Sequence, residues 1–362
     1  MKPFENKISI RQIYIIFFIG ICSSLIEILP LHLSSLAGPT LWLSPFINFG
    51  LFLILIGVLH SIFKNNPDKS LMEIMDIVFG KIFSKLLFLV YIAYFILRTS
   101  IYLRYFGERL VSTLYSYGNI IFFISALLIL IFFVVKKSIE NLARFCEIFI
   151  YIFIAAVALI VILAIPDISL KNFAFPNLGD IINNFHTIPM VSGVFSYITF
   201  ALFLGNYISR KQEIRKQGLK ISFILLFFSL AVILVTVGVF GHNLVQKLTF
   251  PFFSEIKNIS IFKTIERVES VFITLWLVTD FVIISFLVYI TSHISSYVSK
   301  SKDIKYISTP IIFLVFICSL LISNNIFELD AFSKNIVPYF SFTLGFIVPI
   351  VLLTIGKLRR KI

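Results

Sequence analysis

Long apolar runs, separated by short charged or Pro/Gly-marked breaks, constrain the fold of this chain more than any other feature. A helix needs roughly 20 apolar residues to cross a membrane, and the runs have about that length. The sequence is 59% hydrophobic and only 14% charged, whereas soluble proteins carry about 25% charged residues. The sequence therefore predicts an all-α polytopic membrane protein.

Ten such runs can be distinguished, and each is predicted to be one transmembrane helix. They lie at residues 11–34, 41–63, 83–105, 119–135, 145–165, 187–208, 219–241, 270–296, 306–323 and 336–356. Residues 1–362 are predicted to form a single ten-helix transmembrane domain embedded in the lipid bilayer.

The basic residues predict the orientation of the chain. Of the 31 Lys and Arg residues, 22 fall in the N-terminus, the C-terminus and every second connection between them. Because basic residues stay on the cytoplasmic side of a membrane, both termini are predicted to be cytoplasmic. The net charge of +13 is thus mainly an orientation signal. No nucleic-acid partner is indicated, since no basic segment comes with a soluble fold to carry it.

Ten helices suggest two halves of five, at approximately 8–165 and 187–356. With an odd number of helices in each half, the second half must be inserted upside down relative to the first. Inverted repeats of this kind place the substrate near the membrane midplane, on helices that break there. The first and sixth helices are the corresponding helices of the two halves.

Small and polar residues cluster in the middle of both helices. Gly and Ser weaken a helix and leave backbone groups free to bind a carboxylate or an ammonium group, so helices 1 and 6 are predicted to be broken. Close helix packing through small residues is the alternative. The candidate ligand-binding residues are Gly20, Ile21, Cys22, Ser23 and Ser24 in the first helix and Gly193, Ser196, Tyr197 and Thr199 in the sixth.

Ionisable residues inside the predicted helices form a second group of candidates, because charge is expensive in lipid. Glu27 lies in the first helix, Arg98 in the third and Asp280 in the eighth. One interpretation pairs Arg98 with Glu27 or Asp280 in a buried ion pair. The other places Asp280 at a central cavity, as a polar group that a ligand reaches.

No motif indicates catalysis, a cofactor or a metal site. The three cysteines lie far apart inside apolar stretches, without the Cys/His spacing of a zinc site. Walker loops, nucleophile elbows and HExxH motifs are absent from the sequence. A function other than catalysis is therefore predicted.

Three stretches resemble the spore germination permease family. Residues 7–30, KISIRQIYIIFFIGICSSLIEILP, resemble the family's opening helix, and residues 66–91 resemble its inner loop and third helix. The sequence Glu266-Arg267-x-Glu269-Ser270, followed by Trp276, is similar to the family's RxES…W stretch before the eighth helix. Together the three stretches extend the resemblance over nearly the whole chain.

The resemblance implies an integral-membrane B subunit of a nutrient germinant receptor. Such proteins belong with the amino acid–polyamine–organocation transporters and would have a LeuT-like fold. They sit in the inner membrane of the endospore with a membrane-embedded A subunit and a C-subunit lipoprotein. A small nutrient of the amino acid class would contact the broken first and sixth helices, with Tyr94 and Asp280 also lining the pocket.

Two other functions remain open at this point: a secondary amino-acid transporter coupled to H⁺ or Na⁺, and a water or ion conduit through the same cavity. The chain also departs from the family pattern. Pro39-Thr40-Leu41 precedes Trp42 where an acidic residue is common, and no Pro follows Leu204-Gly205-Asn206. These departures bear on the identity of the ligand more than on the fold.

Overall fold

Almost the whole chain is helical, because an apolar segment in lipid has to satisfy its backbone hydrogen bonds internally. The computed structural model describes residues 7–113, 117–258, 268–301 and 303–361. Its α-helices are α1 (Ile10–Ala37), α2 (Ser44–Lys64), α3 (Leu71–Phe79), α4 (Lys81–Thr113), α5 (Ile120–Val135), α6 (Ile139–Ala164), α7 (Leu178–Phe185), α8 (Ile188–Phe195), α9 (Tyr197–Ala201), α10 (Ile214–Phe240), α11 (His242–Val245), α12 (Pro251–Asn258), α13 (Val268–Ser299), α14 (Ile304–Leu321), α15 (Ile326–Phe342) and α16 (Val348–Leu358).

Nine helical stretches in the described part of the chain are long and apolar enough to cross a membrane. The apolar helix α5 has 16 residues and is shorter. These ten segments lie at the ten predicted positions, and the exact number of spans and the cytoplasmic termini stay predictions. The two longest helices, α4 with 33 residues and α13 with 32, extend beyond the predicted spans 83–105 and 270–296.

The sixth span is interrupted, whereas the first span is a continuous helix. Helix α8 ends at Phe195 and α9 begins at Tyr197, so Ser196 interrupts the sixth span as predicted. Helix α1 runs from Ile10 to Ala37 as one helix, and the predicted break in the first span is wrong. Gly20 serves close packing there, because an added Cβ would lie 3.1 Å from the Ile283 Cδ1 atom.

The first and sixth spans lie at the centre of the bundle. Of the apolar windows in these spans, 83% of Ile10–Glu27 and 89% of Ile188–Gly205 are buried, compared with 28% for Ile139–Asp167. Helix α1 packs against α13, α10 and α6, α4 packs against α13 and α14, and α15 packs against α8. The outer helices turn apolar side chains such as Phe133 and Ile148 outwards, as lipid contact requires.

A short parallel strand pair joins the start of α1 to the end of the sixth span. Strand β1 (Ile8–Ser9) pairs with β2 (Ile208–Ser209), with Ile8 opposite Ile208. Ser9 then caps α1, since its hydroxyl accepts a hydrogen bond from the Gln12 N–H (3.3 Å) while the Gln12 side chain accepts from the Ser9 N–H (2.8 Å). This capping box fixes where the first helix begins.

Helix α3 packs against α4 and α16 and buries its apolar face there. Its apolar residues Leu71, Met72, Ile74, Met75 and Val78 are all buried. Ser70 and Glu73 form a second capping box at its start. The backbone of Gly205, after the helix break, approaches Ser70 so closely that an added Cβ would clash with the Ser70 Cα atom.

Helix α12 belongs to the long connection between α10 and α13. Glu266 and Arg267 of the family-like stretch lie outside the described residues. Glu255 on α12 is buried, and neither of its carboxylate oxygens has a hydrogen-bond partner among the described residues. Burial first, and the nearby negative charge of Asp167 second, raise the pKa of Glu255 to about 7.

This carboxyl group should make stability depend on pH. Because the pKa of Glu255 rises from an ordinary 4.5 to about 7 on folding, the folded state holds the proton more tightly than the unfolded state. The stability that Glu255 contributes is present below pH 4.5 and is lost as the pH rises through about 7. Thermal unfolding in lipid nanodiscs should therefore show a midpoint that falls over this range, and Glu255→Gln should reduce the fall. An unchanged slope in that variant would contradict the assignment, and Glu213→Gln serves as the control.

Candidate functional site

One face of α4 carries a stripe of polar and aromatic side chains. They follow one another at intervals of three or four residues, which places them on one side of a helix. The stripe consists of Tyr91, Tyr94, Arg98, Tyr102, Tyr105 and Arg109. All six are buried, and the two arginines organise two separate clusters.

The first cluster surrounds Arg98, which is 3% exposed. Its Nε donates a hydrogen bond to the Tyr197 hydroxyl at 2.5 Å, and its Nη2 donates to the Ser24 hydroxyl at 3.4 Å. The guanidinium carbon lies 4.0 Å from the centre of the Tyr102 ring, a cation–π contact. No carboxylate among the described residues forms an ion pair with Arg98. The cluster therefore holds a buried positive charge that no acidic side chain of this part of the chain neutralises.

Hydroxyl groups connect this cluster to the helices around it. Ser24 and Tyr102 lie 2.6 Å apart, oxygen to oxygen. The Tyr94 hydroxyl lies 2.5 Å from Ser341 Oγ and 3.5 Å from the Tyr197 hydroxyl. Residues of α1, α4, α9 and α15 thus meet around one cation.

The interrupted sixth span is fixed against α15 and the segment after it. The Ser196 hydroxyl, at the break, lies within hydrogen-bonding distance of the Gly193 carbonyl (2.7 Å) and the Ser341 carbonyl (3.0 Å). Thr199 donates to the carbonyl of Gly345 at 2.7 Å. An added Cβ at Gly193 would lie 2.9 Å from the Pro338 carbonyl oxygen. The polar groups at the break therefore hold helices together, and their role in binding a ligand stays a prediction.

The second cluster surrounds Arg109, at the other end of the stripe. Arg109 Nη2 lies 3.0 Å from Glu27 Oε1, and Nη1 forms an ion pair with Asp280. Ser23 donates a hydrogen bond to Asp280 and accepts one from Trp276 Nε1 at 3.0 Å. The Trp276 ring centre lies 3.9 Å from the guanidinium carbon. One arginine thus joins acidic side chains of α1 and α13.

These contacts correct the predicted ion pairs. Arg98 pairs with neither Glu27 nor Asp280, because Arg109 binds both. Asp280 is fully buried in that pairing and lines none of the cavities around Arg98. The predicted third span ended at residue 105, just before Arg109, whereas α4 continues to Thr113 and includes Arg109.

The other first-helix candidates divide into two groups. Gly20, Ile21 and Cys22 lie inside the packed core and line none of the cavities around Arg98. Ser24 contacts the Arg98 cluster, whereas Ser23 belongs to the Arg109 cluster. The sequence candidates Ser24, Tyr94, Arg98 and Tyr197 thus come together in the structure.

Three cavities meet at Arg98. The largest is a cleft between α4 and α15 with a volume of about 250 Å³. Its lining is mostly apolar and consists of Val90, Ala93, Tyr94, Leu97, Arg98, Ile336, Val337 and Phe340. Two smaller cavities of about 20 Å³ each lie towards α1, one beside His32 and Met190 and the other beside Ser24 and Glu27. Arg98 is the residue that all three share.

The described residues contain no group of three or more His, Cys, Asp or Glu side chains that could hold a metal ion. The site is therefore built from a guanidinium group, phenol and aliphatic hydroxyls, and an apolar cleft. Such a combination suits an organic ligand that carries a carboxylate, since guanidinium and carboxylate form paired hydrogen bonds.

The fold has a counterpart among solved structures. The chain is similar to the crystal structure of MhsT in complex with L-phenylalanine, with a TM-score of 0.63 and 12% sequence identity. The match covers 98% of this chain and 99% of MhsT. The similarity confirms the predicted LeuT-like fold, while the residue boundaries of the two repeat halves stay a prediction.

The sequence also has relatives. It is 25% identical to spore germination protein KB of Bacillus subtilis (strain 168) over 364 residues, covering 99% of this chain and 96% of that protein. A family model described as spore germination protein, the spore permease family, matches residues 7–327. With its apolar helices and transporter-like fold, the chain is a multi-pass membrane protein that belongs to the spore germination permease family.

Proposed function

We propose that this chain is the B subunit of a spore germinant receptor, which binds a small nutrient around Arg98 and signals germination. The observation that carries the proposal is the Arg98 guanidinium, buried at the meeting point of three cavities without an acidic partner among the described residues. The nutrient is proposed to be an amino acid, whose carboxylate would supply the missing negative charge.

The energetics favour an anionic ligand at this position. A buried charge without a counter-charge costs several kcal/mol, and the flat guanidinium fork of Arg matches the geometry of a carboxylate. Hydrogen bonds to a charged group contribute about 1.5–3 kcal/mol each. The binding free energy of a carboxylate should therefore be more favourable at Arg98 than at an arginine that already has an acidic partner, such as Arg109.

The position of the cluster supports signalling as well as binding. Its contacts come from α1, α4 and α9, so a ligand that binds more tightly to one arrangement of these helices shifts the population towards it. Membership of the germination family supports an A subunit and a C-subunit lipoprotein as the partners that detect the shift. The inner membrane of the endospore is the proposed location.

Substitution of Arg98 tests the proposal. Arg98→Gln keeps a hydrogen-bond donor and removes the charge, so we expect the half-saturating nutrient concentration for germination to rise by at least about tenfold, the equivalent of about 1.4 kcal/mol. Arg98→Lys keeps the positive charge but lacks the flat guanidinium group, so it should raise the half-saturating concentration by less. The measurement is spore germination against nutrient concentration, with subunit abundance checked by immunoblot.

Arg144→Gln is the matched control, because the Arg144 side chain is 70% exposed. An unchanged nutrient response in Arg98→Gln spores with normal subunit abundance would contradict the proposed site. A lower abundance alone would assign Arg98 a structural role.

The fold supports one second candidate, a secondary transporter, because the chain resembles a protein whose crystal structure contains L-phenylalanine. The two functions predict different results in proteoliposomes. Time-dependent accumulation of a labelled amino acid would identify a transporter. Saturable binding without accumulation would support the receptor.

A further inference from the structure

Charges of opposite sign face the same small cavity beside α1. Arg98 lines this cavity together with the carboxylates of Glu27 and Asp330. None of the ion pairs among the described residues joins Arg98 to either acid. The positive and negative groups therefore line one cavity without forming an ion pair, and a dipolar molecule in it would contact both.

The negative side has an excess of charge. Asp330 accepts a hydrogen bond from the Tyr105 hydroxyl at 2.5 Å and has no ion-pair partner in the described part of the chain. Lys334, one turn later, lies within 3.4 Å of Ser35 Oγ instead. Glu27 shares Arg109 with Asp280, so two carboxylates depend on a single cation.

We infer that the ligand is a zwitterion whose carboxylate binds Arg98 and whose ammonium group binds Asp330. Asp330 is then the residue that selects an amino acid over a simple carboxylate. This inference rests on the proposed function and adds to it a specific residue for each pole of the ligand. An ammonium group supplies a positive charge, together with hydrogen-bond donors additional to the Tyr105 hydroxyl, for the Asp330 carboxylate.

The cleft between α4 and α15 supplies a place for the side chain of that amino acid. Leu97, Val337 and Phe340 line it together with Arg98. Its volume of about 250 Å³ exceeds the roughly 120 Å³ of a four-carbon side chain, counting about 30 Å³ for each water-sized group. The selected amino acid is therefore one with an apolar side chain, and a side chain of leucine size fits the cleft.

The space between the two charges is small in this conformation. The cavity has a volume of about 20 Å³, which is room for a single water molecule. Binding therefore requires α15, which carries Asp330, to move away from α1 and α4. The ligand would stabilise that more open arrangement by bridging Arg98 and Asp330.

Two probes with the same carbon skeleton test the inference. L-leucine carries an ammonium group, and 4-methylpentanoate is the same molecule without it. With the full-length chain in lipid nanodiscs, equilibrium binding should show L-leucine at least about tenfold tighter than 4-methylpentanoate, since hydrogen bonds between two charged groups are the strong ones. Asp330→Asn should remove the preference for L-leucine over 4-methylpentanoate, whereas Arg98→Gln should weaken the binding of both probes.

The outcomes separate the two proposals. Equal affinities of the wild-type chain for both probes, a comparison that needs no variant, would overturn the zwitterion assignment. The zwitterion assignment would also be overturned if Asp330→Asn kept the preference for L-leucine while Arg98→Gln weakened the binding of both probes. The proposed function would stand in that case. If Arg98→Gln weakens neither probe, the proposed function itself fails. Glu328→Gln is the control, because Glu328 is an exposed carboxylate on the same helix. If neither probe binds to the wild-type chain, the apolar side-chain assignment is refuted.

Discussion

Arg109→Ala is expected to destabilise the protein by about 3–5 kcal/mol, the cost of removing one partner from a buried ion pair. The side chains of Arg109 and Asp280 are each 1% exposed, so Asp280 cannot regain hydration when the guanidinium is lost. Glu27 loses the same partner. Thermal unfolding in nanodiscs, followed through the fluorescence of the two tryptophans, Trp42 and Trp276, should show the loss as a much lower midpoint.

A second substitution separates charge from packing. Arg109→Ala combined with Asp280→Asn should recover part of the lost stability, because the double variant no longer buries an unpaired aspartate. Arg144→Ala, which removes an exposed ion pair to Glu140 one turn away, should change stability by less than about 1 kcal/mol. Equal effects of Arg109→Ala and Arg144→Ala would show that the buried cluster contributes no more than a surface pair.

Gly205→Ala is expected to cost about 1–3 kcal/mol, the range for overpacking a well-filled interior. The closest atom to an added Cβ at Gly205 is the backbone Cα of Ser70. A backbone atom cannot rotate away as a flexible side chain would, so α3 and the end of the sixth span would have to separate. The same unfolding measurement should detect the change.

Gly57→Ala provides a control with the opposite sign. Gly57 lies inside α2, and an added Cβ there would meet no atom within 4 Å. Alanine in a helix interior is more stable than glycine by roughly 0.5–1 kcal/mol, so this variant should be as stable as the wild type or more so. A stabilising Gly205→Ala would refute the close approach of Gly205 to Ser70.

The sequence predicted the helical spans well because the length of an apolar run is a local property. It also identified Ser24, Tyr94, Arg98 and Tyr197, which meet in one cluster. Arg109 was missed. The spacing of Tyr91, Arg98, Tyr105 and Arg109 places all four on one face of a helix, and this indicates that α4 extends as far as Arg109. If the end of the third span had been set by this helical spacing instead of by the first polar residues, Arg109 would have been placed inside the helix.

The state of the first helix could not be read from its own residues. Gly and Ser serve a broken helix and a tightly packed one equally well. At Gly20 the tightly packed helix can be told from a broken one by Ile283 of α13, which packs against Gly20. Asp330 was missed for a similar reason, because nothing near it in the sequence shows that Arg98 and Glu27 line the same cavity.

The strand pair between residues 8–9 and 208–209 has a consequence for how this family can vary. Its hydrogen bonds join main-chain atoms, which every non-proline residue supplies equally. The pairing itself therefore does not restrict the side chains at these four positions, whereas Ser9 is restricted by its separate role in capping α1. Proline is the exception, since it lacks the N–H group, and we expect homologues to avoid it at the positions that donate to the pair.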